Sequence, residues 1–182
     1  MKKKPLVSFI IAAYNEEKHI AECMDSCLKQ TYDNIEICII DDGSTDKTWD
    51  ILKARYSSGK KVKMHKFEKN RGKVAAFNNS YKLSSGDYIA VSSADDINYP
   101  DRIEREIAFM DKYGLVFSDL QRVNSDNTKV IDEYYLRRIF KMNDSAEFSF
   151  TDLLVKPVVY GATILIRREV ADRIIPLNES LA

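Results

Sequence analysis

Residues 86–96 are GDYIAVSSADD, and this stretch decides how the rest of the chain is organised. Its first half is short, apolar and opened by a turn glycine, a pattern typical of a buried strand. Residues 100–113 follow with a helical pattern, so Asp95 and Asp96 lie where a strand ends and the chain turns. In an open α/β sheet, this edge is where ligands bind.

The two adjacent carboxylates of Asp95 and Asp96 repel each other unless a positive group joins them. A divalent cation that carries a diphosphate would do so, because hard cations prefer carboxylate oxygens and share their coordination with phosphates. The alternative is a solvated Asp-Asp turn that caps the next helix, since Asp is common at caps and turns. The pair alone leaves both interpretations open.

The composition excludes several classes of protein. The chain of 182 residues is long enough for one domain with a substantial core. Lys plus Arg and Asp plus Glu number 28 each, and this balance argues against a nucleic-acid binder. No apolar run approaches the roughly 20 residues of a membrane span. The three cysteines, Cys23, Cys27 and Cys38, are expected to be reduced core thiols of a cytoplasmic protein.

Apolar strands alternate with helices through the first 113 residues. The strands are predicted over residues 6–13, 35–40, 62–67 and 86–91. The helices are predicted over residues 18–30, 47–56, 73–83 and 100–113. This alternation predicts an α/β fold, Rossmann-like, with a mostly parallel sheet and helices on both faces.

The second half of the chain is more mixed. A strand is predicted over residues 115–123, followed by a polar turn and a returning strand over residues 130–135. Residues 137–149 carry the weakest pattern. The last elements are predicted as a helical turn over residues 151–155, a strand over residues 162–166 and a helix that begins at Arg168. Because the chain has no repeat and no linker, residues 1–182 are predicted to be a single domain.

Polar side chains follow three of the predicted strands. They are Tyr14, Asn15 and Glu16 after the first strand, Asp41 and Asp42 after the second, and Asp95 and Asp96 after the fourth. In a parallel sheet these strand ends share one edge, so the side chains are expected to converge. Lys73 adds a positive charge at the start of a helix, and a helix N-terminus also favours anions.

These residue types together indicate a nucleotide diphosphate site. Carboxylates can hold a ribose and a metal, an amide or carboxylate can bind a base, and a cation can bind phosphate. Neither the GxGxxG pattern nor the GxxxxGK[ST] phosphate loop is present in the sequence. NAD-dependent enzymes and P-loop NTPases are therefore disfavoured.

Five sequence blocks, in order, resemble the family 2 glycosyltransferases, which have the GT-A fold. They are VSFIIAAYNE at residues 7–16, QTY at 30–32 with IIDDGSTD at 39–46, NRGK at 70–73, ADD at 94–96 with PDRI at 100–103, and YGA at 160–162 with RRE at 167–169. The resemblance covers nearly the whole chain. One block alone is weak, but five in the family's order are specific.

The resemblance implies an inverting glycosyltransferase that uses a nucleotide-diphosphate sugar, in the first place a UDP-sugar, to extend a glycan or lipid-linked acceptor. The nucleotide-binding residues it implies are Ala13, Tyr14, Glu16, Asp42, Lys73 and Asp95. Tyr14 and Asp42 would contact the base, with Asp42 accepting the imide hydrogen of uracil. Glu16 and Asp95 would hold the ribose, and Lys73 would lie near the base or the diphosphate.

Asp96 is implied as the ligand of Mn²⁺ or Mg²⁺, which would bridge the diphosphate and neutralise charge on the leaving group. Simpler roles stay open for three of the residues: core packing for Tyr14, helix capping for Glu16 and a solvated side chain for Lys73. Two positions depart from the family. Ser93 stands where the family often has Asp, and Phe77 where it often has Arg.

The catalytic base of the resembled family is expected beyond Ala182. Residues 176–181, PLNESL, look like the segment before the family's acidic pair, and Glu179 fits the acid that precedes this pair. This terminus is expected to be mobile, whereas base catalysis requires tight positioning. The sequence is therefore expected to be the donor-binding part of a longer enzyme, truncated at its C-terminus.

Two other functions are weighed against transfer. One is a nucleotide-sugar binding module without transferase activity, and the other is a phospho-receiver signalling domain. A receiver needs its acidic pair after the first strand, whereas the pairs here follow the second and fourth, so this alternative is disfavoured. Peripheral association with a membrane stays open.

Overall fold

The computed structural model describes residues 4–124, 129–133, 135 and 160–181. The strands are β1 Val7–Ala13, β2 Ile35–Asp41, β3 Val62–Lys66, β4 Tyr88–Val91, β5 Leu115–Phe117, β6 Arg122–Val123, β7 Val130–Asp132 and β8 Ile164–Arg167. The helices are α1 Ile20–Leu28, α2 Thr48–Tyr56, α3 Lys73–Leu83, α4 Arg102–Ile107 and α5 Arg168–Ala171. Among the described residues, no helix has the length and apolar character needed to cross a membrane.

Six of the strands form one sheet in the order β3-β2-β1-β4-β8-β5. The pairs β1–β2, β1–β4 and β2–β3 are parallel, whereas β8 is antiparallel to both β4 and β5. The predicted α/β fold with a mostly parallel sheet is therefore confirmed. In the register of the sheet, Ala13 lies opposite Asp41 and Ile10 lies opposite Val91, so three strands end at the same edge.

The two faces of β1 pack against different helices because successive side chains point to opposite sides of a strand. Phe9 and Ile11 belong to a cluster with residues of α1, α2 and α4, among them Ile20. Ile10 belongs to a second cluster with Tyr81 of α3 and a residue of α5. Helices therefore cover both faces, and burying each such side chain contributes about 1.5–3 kcal/mol.

The helix predicted over residues 100–113 is shorter than expected, because α4 ends at Ile107. Beyond that point the amide of Met110 donates to the carbonyl of Ile107, three residues back, rather than four. The carbonyl of Met110 accepts hydrogen bonds from the guanidinium of Arg167, which lies in β8. Arg167 thus binds a carbonyl that follows the end of the helix and links this segment to β8.

The strand predicted over residues 115–123 is two strands. Residues 115–117 pair with β8 in the main sheet, whereas Arg122 and Val123 pair with β7 in a separate two-stranded sheet. The return predicted over residues 130–135 is present as β7 but ends at Asp132. The late strand predicted over residues 162–166 is present as β8 but begins at Ile164, and the helix predicted at Arg168 is confirmed as α5. The predictions for residues 137–149 and 151–155 lie outside the described residues.

A buried carboxylate holds the opposite edge of the sheet together. Glu36 in β2 accepts hydrogen bonds from Ser8 at 2.6 Å and from the amide of Ser85 at 2.5 Å, and its second oxygen lies 2.7 Å from Lys63. Burial acts to raise the pKa of Glu36, but the hydrogen bonds from Lys63, Ser8 and Ser85 outweigh it and lower the pKa below its usual value. The charged form is therefore favoured in the folded state.

This shift predicts an acid-sensitive contribution to stability. A depressed folded pKa stabilises the protein above the unfolded pKa of about 4.3, and this stabilisation is lost as pH falls through the folded value. At pH 7, Glu36→Gln should cost about 1–3 kcal/mol in the free energy of unfolding. Between pH 5 and pH 2, the Glu36→Gln variant should lose less stability per pH unit than the wild type does, as measured by circular dichroism.

Glu68→Gln is the matched control, because Glu68 is exposed. It should leave the acid profile unchanged. If Glu36→Gln lost stability with acid as steeply as the wild type, the pKa of Glu36 would not be depressed by folding.

Candidate functional site

The loops after β1 and β2 are joined by a ladder of hydrogen bonds. The amide of Asn15 donates to Ser44 Oγ at 3.0 Å, and Asn15 Oδ1 accepts from the amide of Thr45 at 2.9 Å. The amide of Glu16 donates to Thr48 Oγ1 at 2.7 Å. Asn15 has a φ of 57°, a left-handed conformation that Asn tolerates and that turns the chain sharply after β1. These contacts hold Glu16 half-buried at the strand-end edge.

Ala13, Tyr14 and Asp42 lie next to one another at this edge. The carbonyl of Ala13 accepts the amide of Asp42 at 2.8 Å, which fixes the spacing between the ends of β1 and β2. Tyr14 is 44% exposed, so core packing is not its role. An exposed aromatic side chain therefore directly follows the residue whose carbonyl binds Asp42.

The Asp42 side chain is an acceptor with spare capacity. It is only 2% exposed, and its Oδ1 accepts the amide of Arg71 at 2.7 Å. No hydrogen bond from a described residue reaches its Oδ2. A carboxylate of this kind makes a strong, charge-assisted bond with a ligand N–H.

The position after Asp41 and Asp42 requires a glycine, Gly43. Its φ is 73°, and a Cβ at this position would lie 2.5 Å from the carbonyl carbon of Lys69 and 2.6 Å from the amide nitrogen of Asn70. No side chain fits there without moving the backbone of residues 69–70. The glycine therefore lets this loop approach closely enough for Arg71 to contact Asp42.

Lys73 opens α3 and is exposed. Gly72, with a φ of 92°, turns the chain into the helix, and no side chain caps the helix N-terminus. The Lys73 ammonium acts to lower the pKa of Asp96, which links the start of α3 electrostatically to the turn after β4.

Burial and the charge of Asp95 raise the pKa values of two acidic residues of the site, Asp96 and Glu16. Burial raises the pKa of Asp96, Asp95 raises it further, and hydrogen bonding by Ser93 and the charges of Arg102 and Lys73 only partly offset this. Burial also raises the pKa of Glu16, and Asp95 is the next largest cause. The sequence-predicted convergence of Glu16, Asp95, Asp96 and Lys73 is therefore present in the structure.

The donor set at this edge fits a hard divalent cation. Among the described residues, no group of three or more His, Cys, Asp or Glu side chains could hold a metal ion alone. A cation at Asp96 would therefore draw its remaining ligands from a bound molecule or water, as Mg²⁺ commonly does with phosphates. Burial and, next, the charge of Asp95 raise the pKa of Asp96, and a bound cation would favour its charged form against both.

Arg102 is a buried residue whose burial the sequence pattern does not predict. Its guanidinium donates to Val91 O and Ile164 O, both at 3.1 Å, and to Glu106 Oε1 at 3.0 Å. It also donates to Asn98 Oδ1 at 2.5 Å. This one side chain ties the end of β4 to β8 and α4, directly beneath the acidic turn. An isolated Arg on a charged helix carries no sequence signal of burial.

The C-terminal segment that was expected to be mobile makes hydrogen bonds to α3 in the structure. Asn78 of α3 donates to Leu177 O at 2.9 Å and to Glu179 Oε1 at 3.3 Å, and it accepts the amide of Leu177 at 2.8 Å. Residues 177–179 are therefore held against α3.

A model of "Glycosyl transferase family 2" matches residues 8–175 of this chain. Because the match covers most of the sequence, the chain belongs to this family. The resemblance inferred from the five sequence blocks is confirmed.

Particular relatives show how far the similarity extends. The chain is 42% identical to chondroitin synthase of Escherichia coli over 104 residues, which is 57% of this chain and 15% of that protein. The fold is similar to that of S. aureus TarS in complex with UDP, with a TM-score of 0.73, 23% identity and coverage of 96% of this chain and 51% of that one.

A mannosyltransferase of Pyrobaculum calidifontis, solved with GDP-Man and Mn²⁺, also has a TM-score of 0.73, at 20% identity over 98% of this chain and 49% of that one. At these identities, the two solved structures establish the shared GT-A fold. The chain spans about half the length, or less, of the curated relatives that it matches.

The geometry around Gly43 makes a first prediction for the site. Gly43→Ala should destabilise the protein by about 1–2 kcal/mol from the left-handed backbone alone. It should also push residues 69–70 away and weaken the contact from Arg71 to Asp42. Thermal unfolding measures the first effect, and hydrogen exchange of the Arg71 amide measures the second.

Gly161→Ala is the control, because a Cβ there would meet nothing within 4 Å. It should leave both measurements close to wild type. Unchanged exchange at Arg71 in Gly43→Ala would show that the close approach does not hold this loop in place.

Proposed function

We propose that this chain carries the donor site of a metal-dependent, inverting glycosyltransferase that uses a UDP-sugar. The observation that supports this most is that two features lie at one edge of the sheet. One is the buried carboxylate of Asp42, of which only Oδ1 accepts a hydrogen bond from a described residue. The other is the acidic cluster of Glu16, Asp95 and Asp96, which is influenced by the charge of Lys73. The acceptor that we propose is a glycan or a lipid-linked glycan, in line with the chondroitin synthase among the relatives.

Tyr14 and Asp42 are assigned to bind the nucleobase, uracil. The free oxygen of Asp42 accepts the imide N–H of uracil, and the exposed Tyr14 ring packs against the base. Ala13 contributes its backbone, whose carbonyl already holds Asp42 in place. A site that hydrogen-bonds one donor discriminates strongly against bases that lack it. The UDP bound to the similar fold of S. aureus TarS supports this choice of nucleotide.

The ribose and the diphosphate are assigned to the acidic cluster and to Lys73. Glu16 and Asp95 accept hydrogen bonds from the ribose hydroxyls, and Lys73 attracts the diphosphate from the start of α3. Mn²⁺ or Mg²⁺, held by Asp96 and the diphosphate, would neutralise charge on the leaving group. The Mn²⁺ in the GDP-Man complex of the mannosyltransferase supports this assignment.

Transfer with inversion also needs a general base for the acceptor hydroxyl. The donor-site residues do not supply this general base, because each is assigned to the uracil, the ribose or the diphosphate.

The three buried thiols are free, which fits a reducing, cytoplasmic environment.

The metal assignment predicts opposite effects of one substitution on function and stability. In Asp96→Asn, Mn²⁺ should no longer strengthen UDP binding in calorimetry. Because the folded pKa of Asp96 is raised, its charge destabilises the metal-free protein at pH 7, so the same variant should unfold at a higher temperature. In the wild type, protons should compete with Mn²⁺ at a higher pH than for an ordinary Asp.

Asp50→Asn is the control, since Asp50 is an exposed residue of α2 that pairs with Lys53. It should retain the effect of Mn²⁺. Equal UDP affinity with and without Mn²⁺ in the wild type would contradict metal-dependent binding.

The base assignment predicts selectivity for uracil. Asp42→Asn should weaken UDP binding by roughly 10- to 150-fold, since hydrogen bonds to charged groups contribute about 1.5–3 kcal/mol. UDP should displace a labelled UDP-sugar from the wild type far better than CDP or ADP does. Equal competition by all three nucleotides would count against Asp42 as the uracil ligand.

A further inference from the structure

Asn98 is a buried amide, 6% exposed, at the end of the turn that carries the acidic pair. Its Nδ2 donates to Ser92 Oγ at 2.9 Å and to Cys27 Sγ at 3.3 Å. Its Oδ1 accepts from Arg102 at 2.5 Å, and its backbone amide donates to Ser26 Oγ at 3.0 Å. Every polar hydrogen of the amide side chain is used, so Asn98 is fixed to α1, to α4 and to Ser92, the residue that follows β4.

The bond from Asn98 to Ser92 closes the acidic turn, which we define as residues 92–98. These two residues are its first and last members, and the exposed Asp95 and Asp96 lie between them. Repulsion between the two carboxylates would tend to open such a turn. A buried hydrogen bond across its base resists this opening, because breaking it would leave polar atoms without partners in the interior.

Cys23 of α1 holds the same turn from a second point. Its thiol donates to the carbonyl of Ser93 at 3.2 Å. A hydrogen bond with Cys27 and burial both raise the pKa of Cys23 well above its usual value, so the thiol keeps the proton that it donates. The acidic turn is thus attached to α1 through Cys23, and through Cys27 and Ser26 by way of Asn98.

We propose that Asn98 is a positioning residue, which holds the acidic turn in the shape in which Asp96 meets a metal-bound diphosphate. This role rests on the proposed donor site, since Asn98 acts on the ligand only through Asp95 and Asp96. Residues that orient a metal ligand commonly affect metal affinity about 10- to 100-fold when they are replaced.

The test uses Asn98→Asp, which keeps an acceptor for Arg102 and loses both Nδ2 donors, and Asn98→Ala, which loses all three side-chain bonds. Asn78→Ala is the matched control. Asn78 is also a buried amide, 1% exposed, but its hydrogen bonds go to residues 177 and 179. UDP affinity is measured with and without Mn²⁺, and hydrogen exchange is measured across residues 93–97.

We expect both Asn98 variants to lower the ratio of UDP affinities with and without Mn²⁺ by about tenfold or more. Metal-free UDP affinity should fall by less than the metal-dependent gain does, since Asp95 lies in the acidic turn but Asp42 and Tyr14, which are assigned to the uracil base, lie on other loops. Exchange across residues 93–97 should rise in both variants. Asn78→Ala should lose comparable thermal stability but keep the wild-type ratio and the wild-type exchange of this segment.

The proposal would be overturned if Asn98→Asp folded with the wild-type ratio and wild-type exchange at residues 93–97. It would also be overturned if Asn78→Ala changed the ratio as much as the Asn98 variants, since the effect would then be general destabilisation. Asn98→Asp is the deciding variant should Asn98→Ala not fold. Absence of UDP binding in the wild type would contradict the proposed donor site, whereas the exchange comparison tests the positioning role without any ligand.

Discussion

The parallel pairing of β1 with both β2 and β4 is the constraint on which the candidate site depends. Three strands that run in the same direction end at the same edge, with Ala13 beside Asp41 and Ile10 beside Val91. The loops that leave this edge therefore meet, although they lie up to about eighty residues apart in the sequence. Hydrogen bonds between the first two loops and the buried side chains beneath the third then fix how they meet.

Carboxylates at the two opposite edges of the sheet have pKa values that are shifted in opposite directions. At one edge Glu36 is surrounded by Lys63 and hydroxyl or amide donors, and its pKa is lowered. At the other edge, desolvation and the charge of the nearby Asp95 raise the pKa values of Glu16 and Asp96. The first arrangement stabilises the fold, whereas the second costs stability in the absence of a cation. Such local cost is typical of functional sites.

The sequence predicts well what depends on local pattern. The bounds of α3, the apolar strands and the Asp pairs at strand ends all follow from periodicity and turn residues, because local propensity and the fold agree there. The end of α4 at Ile107 does not follow from periodicity, because the helical pattern continues to residue 113 while the backbone changes to hydrogen bonds with the third residue back. The burial of Arg102 and the bonds of Asn98 also arise from long-range packing, which periodicity does not encode.

The most direct test of the proposed donor site is a crystal structure of this chain with UDP and Mn²⁺, in which anomalous scattering locates the metal. We predict the imide nitrogen of uracil within hydrogen-bond distance of Asp42, and Mn²⁺ bound by a carboxylate oxygen of Asp96 and by the diphosphate. UDP at another surface, or Mn²⁺ with no ligand from Asp96, would contradict the assignment.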